Sequence, residues 1–185
     1  MKRAALIASL AALLLASCAL SENSHLFRQG QQLLESGRAS EAAAVYRQGL
    51  SRDANNADLL YNYLYALYES GSYEAVISES AAAIEHFPYR LEFNRLHARA
   101  LLAARRHAEA ESAYSALIAL NPADYPLYEA VMESAHASGA DDLAKTMALH
   151  LLDVAAYERK ALTVLAELEP QSWYALALAF LTPQH

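Results

Sequence analysis

The sequence predicts an all-α fold assembled from repeated helix pairs, and three observations carry that expectation. Gly and Pro number only five each in 185 residues, too few for a turn-rich β protein. The rest is rich in Ala, Leu and Glu, which favour helix. Several residue types also recur on one period of 34. Gly37, Gly71 and Gly139 are spaced by 34 and 68, Ala42, Ala110 and Ala144 by 68 and 34, Tyr46 and Tyr114 by 68, and Pro88 and Pro122 by 34. A fixed period of this length marks a stack of units, each unable to bury its apolar face alone.

One stretch tests the helical reading. In LLYNYLYALYESG (59–71), Tyr61, Tyr63 and Tyr65 alternate, which is strand-like. Yet Tyr61, Tyr65 and Tyr68 also fall at i, i+4 and i+7, one face of a helix. The repeat register decides for helix.

The 34-residue period, with its Gly, Ala, Tyr and Pro positions, resembles the tetratricopeptide repeat. The resemblance implies an all-α helix–turn–helix solenoid of about four repeats plus a C-terminal capping helix region. The units are 23–56, 57–90, 91–124 and 125–158. The inner face of helix A would be Leu26, Gln29, Gly30 and Leu33; then Leu60, Tyr63, Leu64 and Leu67; then Asn94, His97, Ala98 and Leu101; then Tyr128, Val131, Met132 and Ala135. Gly37, Gly71 and Gly139 suit a left-handed cap closing helix A. The third unit has Arg105 there, a departure expected to cost about 1 kcal/mol if the backbone stays left-handed. Ala42, Ala110 and Ala144 let the paired helices touch; in the second unit Val76 holds that register and Ala75 is the nearest small residue. A further helix is expected over Glu158–Glu169, closed by Pro170, and a last one over Ser172–Leu181.

In tetratricopeptide superhelices the fifth, ninth and twelfth positions line the concave surface that holds a partner's peptide or helix. The resemblance therefore implies a groove of Phe27, Gln31 and Leu34; Tyr61, Tyr65 and Tyr68; Arg95, Arg99 and Leu102; and Glu129, Glu133 and His136. Tyrosine offers large contact area at small rotamer cost, and arginine adds stacking and bidentate contacts to carboxylates. Two alternatives stay open. Arg95 and Arg99 could pair with Glu129 and Glu133, and the tyrosines could be covered by a neighbouring helix. The carboxylate clamp of some family members needs Lys and Asn where Phe27 and Gln31 stand, so that subtype is disfavoured. The terminal helix is expected to pack as a cap; the alternative is a second interface through Trp173, Tyr174 and Phe180.

The N-terminus reads as a leader. Lys2 and Arg3 precede an uncharged apolar stretch, residues 4–16, shorter than the roughly 20 residues a membrane span needs. It ends in Leu15-Ala16-Ser17-Cys18, which resembles the bacterial lipobox, where cleavage precedes an invariant Cys that then carries lipid. Cys18 is the one cysteine in the chain and has no disulfide partner. The expected organisation is a signal peptide over 1–17, a lipidated Cys and tether over 18–24, the repeats over 25–158, and capping helices over 159–185. By resemblance to proteobacterial lipoproteins, Ala19 permits export to the outer membrane, with the domain facing the periplasm.

Charge and motif content exclude other classes. A net charge of −7 argues against nucleic acid, whose phosphates need a basic face. There is no GxSxG, P-loop, HExxH or CxxC, so no enzyme, cofactor or metal site is expected. The Glu133/His136 pair is one Glu-x-x-His where a di-iron bundle needs two. The expected function is a membrane-anchored scaffold or adaptor in envelope assembly or secretion, similar in plan to lipoproteins of outer-membrane protein or pilus biogenesis. The alternative is an oligomeric periplasmic lipoprotein that works with a transport system and handles a small hydrophobic ligand.

Overall fold

The computed structural model describes residues 24–181. The expected signal peptide and Cys18 lie outside the described residues. Within them the backbone is helical, with no strand: α1 (24–35), α2 (Ala39–Leu50), α3 (Ala57–Glu69), α4 (Tyr73–His86), α5 (Leu91–Ala103), α6 (His107–Leu120), α7 (Tyr125–Ser138), α8 (Asp141–Leu151), α9 (Glu158–Leu168) and α10 (Trp173–Leu181). The described residues divide into two compact units, with the boundary between Leu96 and His97, inside α5.

The 34-residue period has a direct backbone cause. The turns α1–α2, α3–α4, α5–α6 and α7–α8 are built alike. Each has one residue at positive φ: Gly37 (75°), Gly71 (80°), Arg105 (60°) and Gly139 (76°). Its N–H bonds back to Leu34, Tyr68, Leu102 and His136 respectively, and the next N–H bonds to Leu33, Leu67, Leu101 and Ala135. This double bond is the Schellman closure, which satisfies carbonyls left open at a helix end. Arg105 thus takes the left-handed conformation that its register demands.

Helix starts have their own devices. Asn56 accepts from the Leu59 N–H and Asp124 from the Leu127 N–H. Arg38 and Arg106, 68 residues apart, each clamp a carboxylate three residues on, Glu41 and Glu109, with both nitrogens within 2.7 Å.

In the first unit α2 packs on α3 and α3 on α4. The core holds Leu26, Ala42, Tyr46, Leu59, Tyr63, Leu64, Val76 and Phe93. Val76 is fully buried at the helix-contact position while Ala75 is half-buried, so the larger residue takes that place. Gly30 is buried against the Tyr46 ring. In the second unit α7 packs on α8, α8 on α9 and α9 on α10. Its core includes Ala98, Leu101, Tyr114, Tyr128, Met132, Leu143, Met147, Leu162 and Leu165.

The expected inner faces need correction in three places. Gln29 is exposed. Leu60 is half-buried, and Leu59 takes the core position instead. Asn94 and His97 are half-buried, while Phe93 and Leu96 beside them are buried. For the polar residues the reason is the cost of burying an amide or imidazole when an apolar neighbour one residue away can turn inward. The fourth set needs no change: Tyr128, Val131, Met132 and Ala135 are all buried.

Candidate functional site

In the first unit the candidate face is aromatic and sits on α3. Tyr61 and Tyr65, one helical turn apart, stack with ring centroids 6.3 Å apart and planes 14° apart. Tyr61 also meets Phe93 of α5 edge-on at 6.2 Å. Tyr68, one turn further, tilts against Tyr73 at the start of α4, 5.4 Å between centroids. All three are half-buried. The row is thus neither open nor covered. Each phenol is braced by another ring yet presents part of its surface, which lowers the entropy lost on binding.

Tyr63 points the other way and is buried. Its hydroxyl accepts from Arg47 Nη2 of α2 at 2.8 Å and donates to Glu79 Oε1 of α4 at 3.1 Å. The Arg47 guanidinium also lies 5.2 Å from the ring centre. Burial raises the Tyr63 pKa above the ordinary phenol value; the Arg47 hydrogen bond opposes that rise. Sequence reasoning misses this link, although residues 47, 63 and 79 are evenly spaced by 16.

The other expected groove residues of this unit differ. Phe27 is half-buried, with its ring edge-on to Tyr46 at 6.3 Å. It also lines a cleft of about 490 Å³ with Arg28, Asp53, Asn56 and Asp58. Gln31 and Arg95 are exposed, and Leu34 is half-buried.

In the second unit the candidate face is charged. Glu129 and Glu133 of α7 share one lysine, Lys160 of α9. It bonds to Glu129 and reaches Glu133 at 3.3 Å. The Glu129 hydrogen bond, then that of Glu133, raises the Lys160 pKa above its ordinary value. His136 Nε2 lies 2.8 Å from Glu167 Oε2, also on α9. The acidic stripe is therefore met by a lysine on a helix outside the repeat register. Arg99 is exposed, whereas Leu102, expected in the groove, is buried, so that column belongs to the core here.

The expectation of a packed C-terminal cap also changes. No residue of α10 is buried. Trp173 is 60% exposed and Phe180 90% exposed, while Tyr174 is half-buried with its ring 4.5 Å from that of Trp173. The helix packs on α9 by one side and leaves an apolar side outward. Among the described residues no group of three His, Cys, Asp or Glu could hold a metal ion. No described helix is long and apolar enough to cross a membrane.

Comparison with known proteins agrees with the fold. Residues 33–88 match the family described as tetratricopeptide repeat. No curated protein matches the chain. Among solved structures, the chain is similar to MamA 41-end from Desulfovibrio magneticus RS-1, at 17% identity and a TM-score of 0.69, over 86% of this chain and 90% of that one. It is similar to a thermophilic TPR protein of Thermus thermophilus, at 18% identity and a TM-score of 0.59, over 84% of each chain. It also resembles a tetratricopeptide repeat protein from Parabacteroides merdae ATCC 43184, at 12% identity and a TM-score of 0.60, over 86% of this chain and 72% of that one. No enzyme family is indicated. Residues 33–88 are similar to the tetratricopeptide repeat, and the chain has the all-α fold of tetratricopeptide-repeat proteins.

Proposed function

We propose that the protein is a bacterial envelope lipoprotein, anchored through Cys18, whose α3 aromatic face holds an extended or helical segment of a partner protein. The tetratricopeptide fold supports a protein-binding scaffold. The observation that carries the site is the braced tyrosine row, Tyr61 stacked on Tyr65 with Tyr68 one turn on, half-buried on one helix face. Such a face suits a segment with apolar or aromatic side chains at helical spacing, plus groups that hydrogen-bond phenols. Support for the anchor is the leader ending in Leu15-Ala16-Ser17-Cys18. Acyl chains supply about 0.8 kcal/mol per buried CH₂, enough with two chains to hold a domain on a bilayer. The role we favour is an adaptor in outer-membrane protein or pilus assembly.

The test is crosslinking in native envelopes with the full chain as bait, beside a Tyr61→Ala/Tyr65→Ala variant first checked for wild-type helicity and melting. A specific protein captured by the first and lost by the second supports the face. Equal capture by both refutes it. The anchor is tested separately: metabolic labelling with palmitate must mark the wild-type chain and not Cys18→Ser.

A further inference from the structure

We infer that the cleft beside α10 is a binding site for a small organic cation with an apolar body, of the alkylammonium type. The cleft lies within the second unit and has a volume of about 560 Å³. That is inside the roughly 300–1,000 Å³ usual for small-molecule clefts. Its apolar walls include Leu152, Leu162, Trp173 and Phe180, and Asp153 and Glu158 line it as well. Trp173 is 60% and Phe180 90% exposed, so most of the aromatic wall is open to a ligand. The Trp173 ring is braced by that of Tyr174, 4.5 Å away. Such rings take an apolar chain by area and a cation by their electron-rich faces, tryptophan most of all.

Charge selects the sign of the ligand. Elsewhere in this unit Glu129 and Glu133 meet Lys160, Glu167 meets His136 and Glu169 meets Lys145. Asp153 and Glu158 have no ion-pair partner among the described residues. Arg159, next in sequence to Glu158, donates to the carbonyl of Leu181, another lining residue, at 2.6 Å. Two carboxylates against one guanidinium leave the cleft net negative. A neutral ligand covering them would strip water from both carboxylates and return nothing. An anionic ligand would add repulsion. An ammonium group on an apolar chain meets both demands, with its charge beside Asp153 and Glu158 and its chain along Leu162, Trp173 and Phe180.

The site does not depend on what the tyrosine face holds. Trp173 is the one tryptophan of the chain, so its fluorescence reports on this cleft alone. The full chain is titrated with octylammonium, 1-octanol and octanoate, which share a chain length and differ in charge. The expected result is a saturable change in Trp173 emission, with octylammonium half-saturating at about tenfold lower concentration than 1-octanol and octanoate weakest of the three. In Asp153→Asn/Glu158→Gln, checked for wild-type helicity and melting, that advantage should fall to about twofold or less. Asp153→Asn alone, at an exposed position, should lose part of it without disturbing the fold. Phe180→Ala, also at an exposed position, should weaken all three ligands together. No saturable change, 1-octanol matching octylammonium, or an octylammonium preference that survives both carboxylate substitutions overturns the inference. Saturation by a lysine-rich amphipathic peptide and not by octylammonium also overturns it, and would assign the cleft to a segment of a partner protein.

Discussion

A methyl group built on Gly30 would sit 2.4 Å from Cζ of the buried Tyr46 ring and 2.5 Å from one of its Cε atoms. The missing side chain at Gly30 on α1 thus makes room for the Tyr46 ring of α2. Tyr46 is fully buried, so its ring has nowhere to retreat. Gly30→Ala gains up to about 1 kcal/mol of helix propensity, but overpacking of a filled core costs about 1–3 kcal/mol. The expected outcome is a net loss of stability in urea melts. Pairing it with Tyr46→Leu should recover part of that loss. A more stable Gly30→Ala single variant would refute the contact.

Arg105 is the second test, because it performs a glycine's task. Its φ of 60° equals in kind those of Gly37, Gly71 and Gly139. The side chain is exposed. Arg105→Gly removes left-handed strain worth about 1 kcal/mol, less the extra chain entropy that glycine must lose. Thermal melting should show a small gain in stability. Gly71→Ala should show the opposite sign, since no neighbouring atom lies within 4 Å and conformation alone decides.

These positions are readable in the sequence because the backbone repeats. A closing turn must have one left-handed residue, and that need recurs every 34 positions whatever the side chains do. Burial is less legible within each register. Asn94 and His97 give way to Phe93 and Leu96, and Leu60 to Leu59, by rotations of one residue that periodicity does not resolve. Lys160 and Glu167 are invisible for another reason. They lie on α9, beyond the repeat, so no register ties them to Glu129, Glu133 and His136. The α10 stripe is visible in the sequence, but its exposure depends on which side α9 takes, a tertiary choice.

Tyr46 also gives a pH signature. Its hydroxyl is buried with no hydrogen-bond partner among the described residues. Burial pushes its pKa from 10.0 up to about 12. The folded chain thus holds the neutral phenol more strongly than the unfolded chain does. Stability is fully present below pH 10 and is lost as pH rises toward about 12, by up to roughly 2–3 kcal/mol. Tyr46→Phe should be at least as stable as wild type at pH 7, since an unpaired buried hydroxyl costs about 1–3 kcal/mol. Denaturant melts from about pH 8 to 11.5, spanning the ordinary phenol range, should show the variant losing less stability than wild type. Parallel losses would refute the assignment.

The Arg47–Tyr63–Glu79 link predicts a coupling that two-body contacts would not give. The phenol is both acceptor and donor, joining a cation on α2 to a carboxylate on α4 through one oxygen. Tyr63→Phe keeps the ring, and with it the cation–π contact at 5.2 Å, and removes only the oxygen. It should cost about 0.5–1.5 kcal/mol. Arg47→Met and Glu79→Gln each break one of the two bonds. If the bonds polarise one another, removing either weakens the other, so the Arg47→Met/Glu79→Gln pair is less damaging than the sum of the singles. In the Tyr63→Phe background that coupling should shrink to what the direct attraction between Arg47 and Glu79 leaves. Urea melts of the full cycle decide it: an undiminished coupling without the hydroxyl would mean that Arg47 and Glu79 sense one another wholly as charges, and that Tyr63 is merely between them.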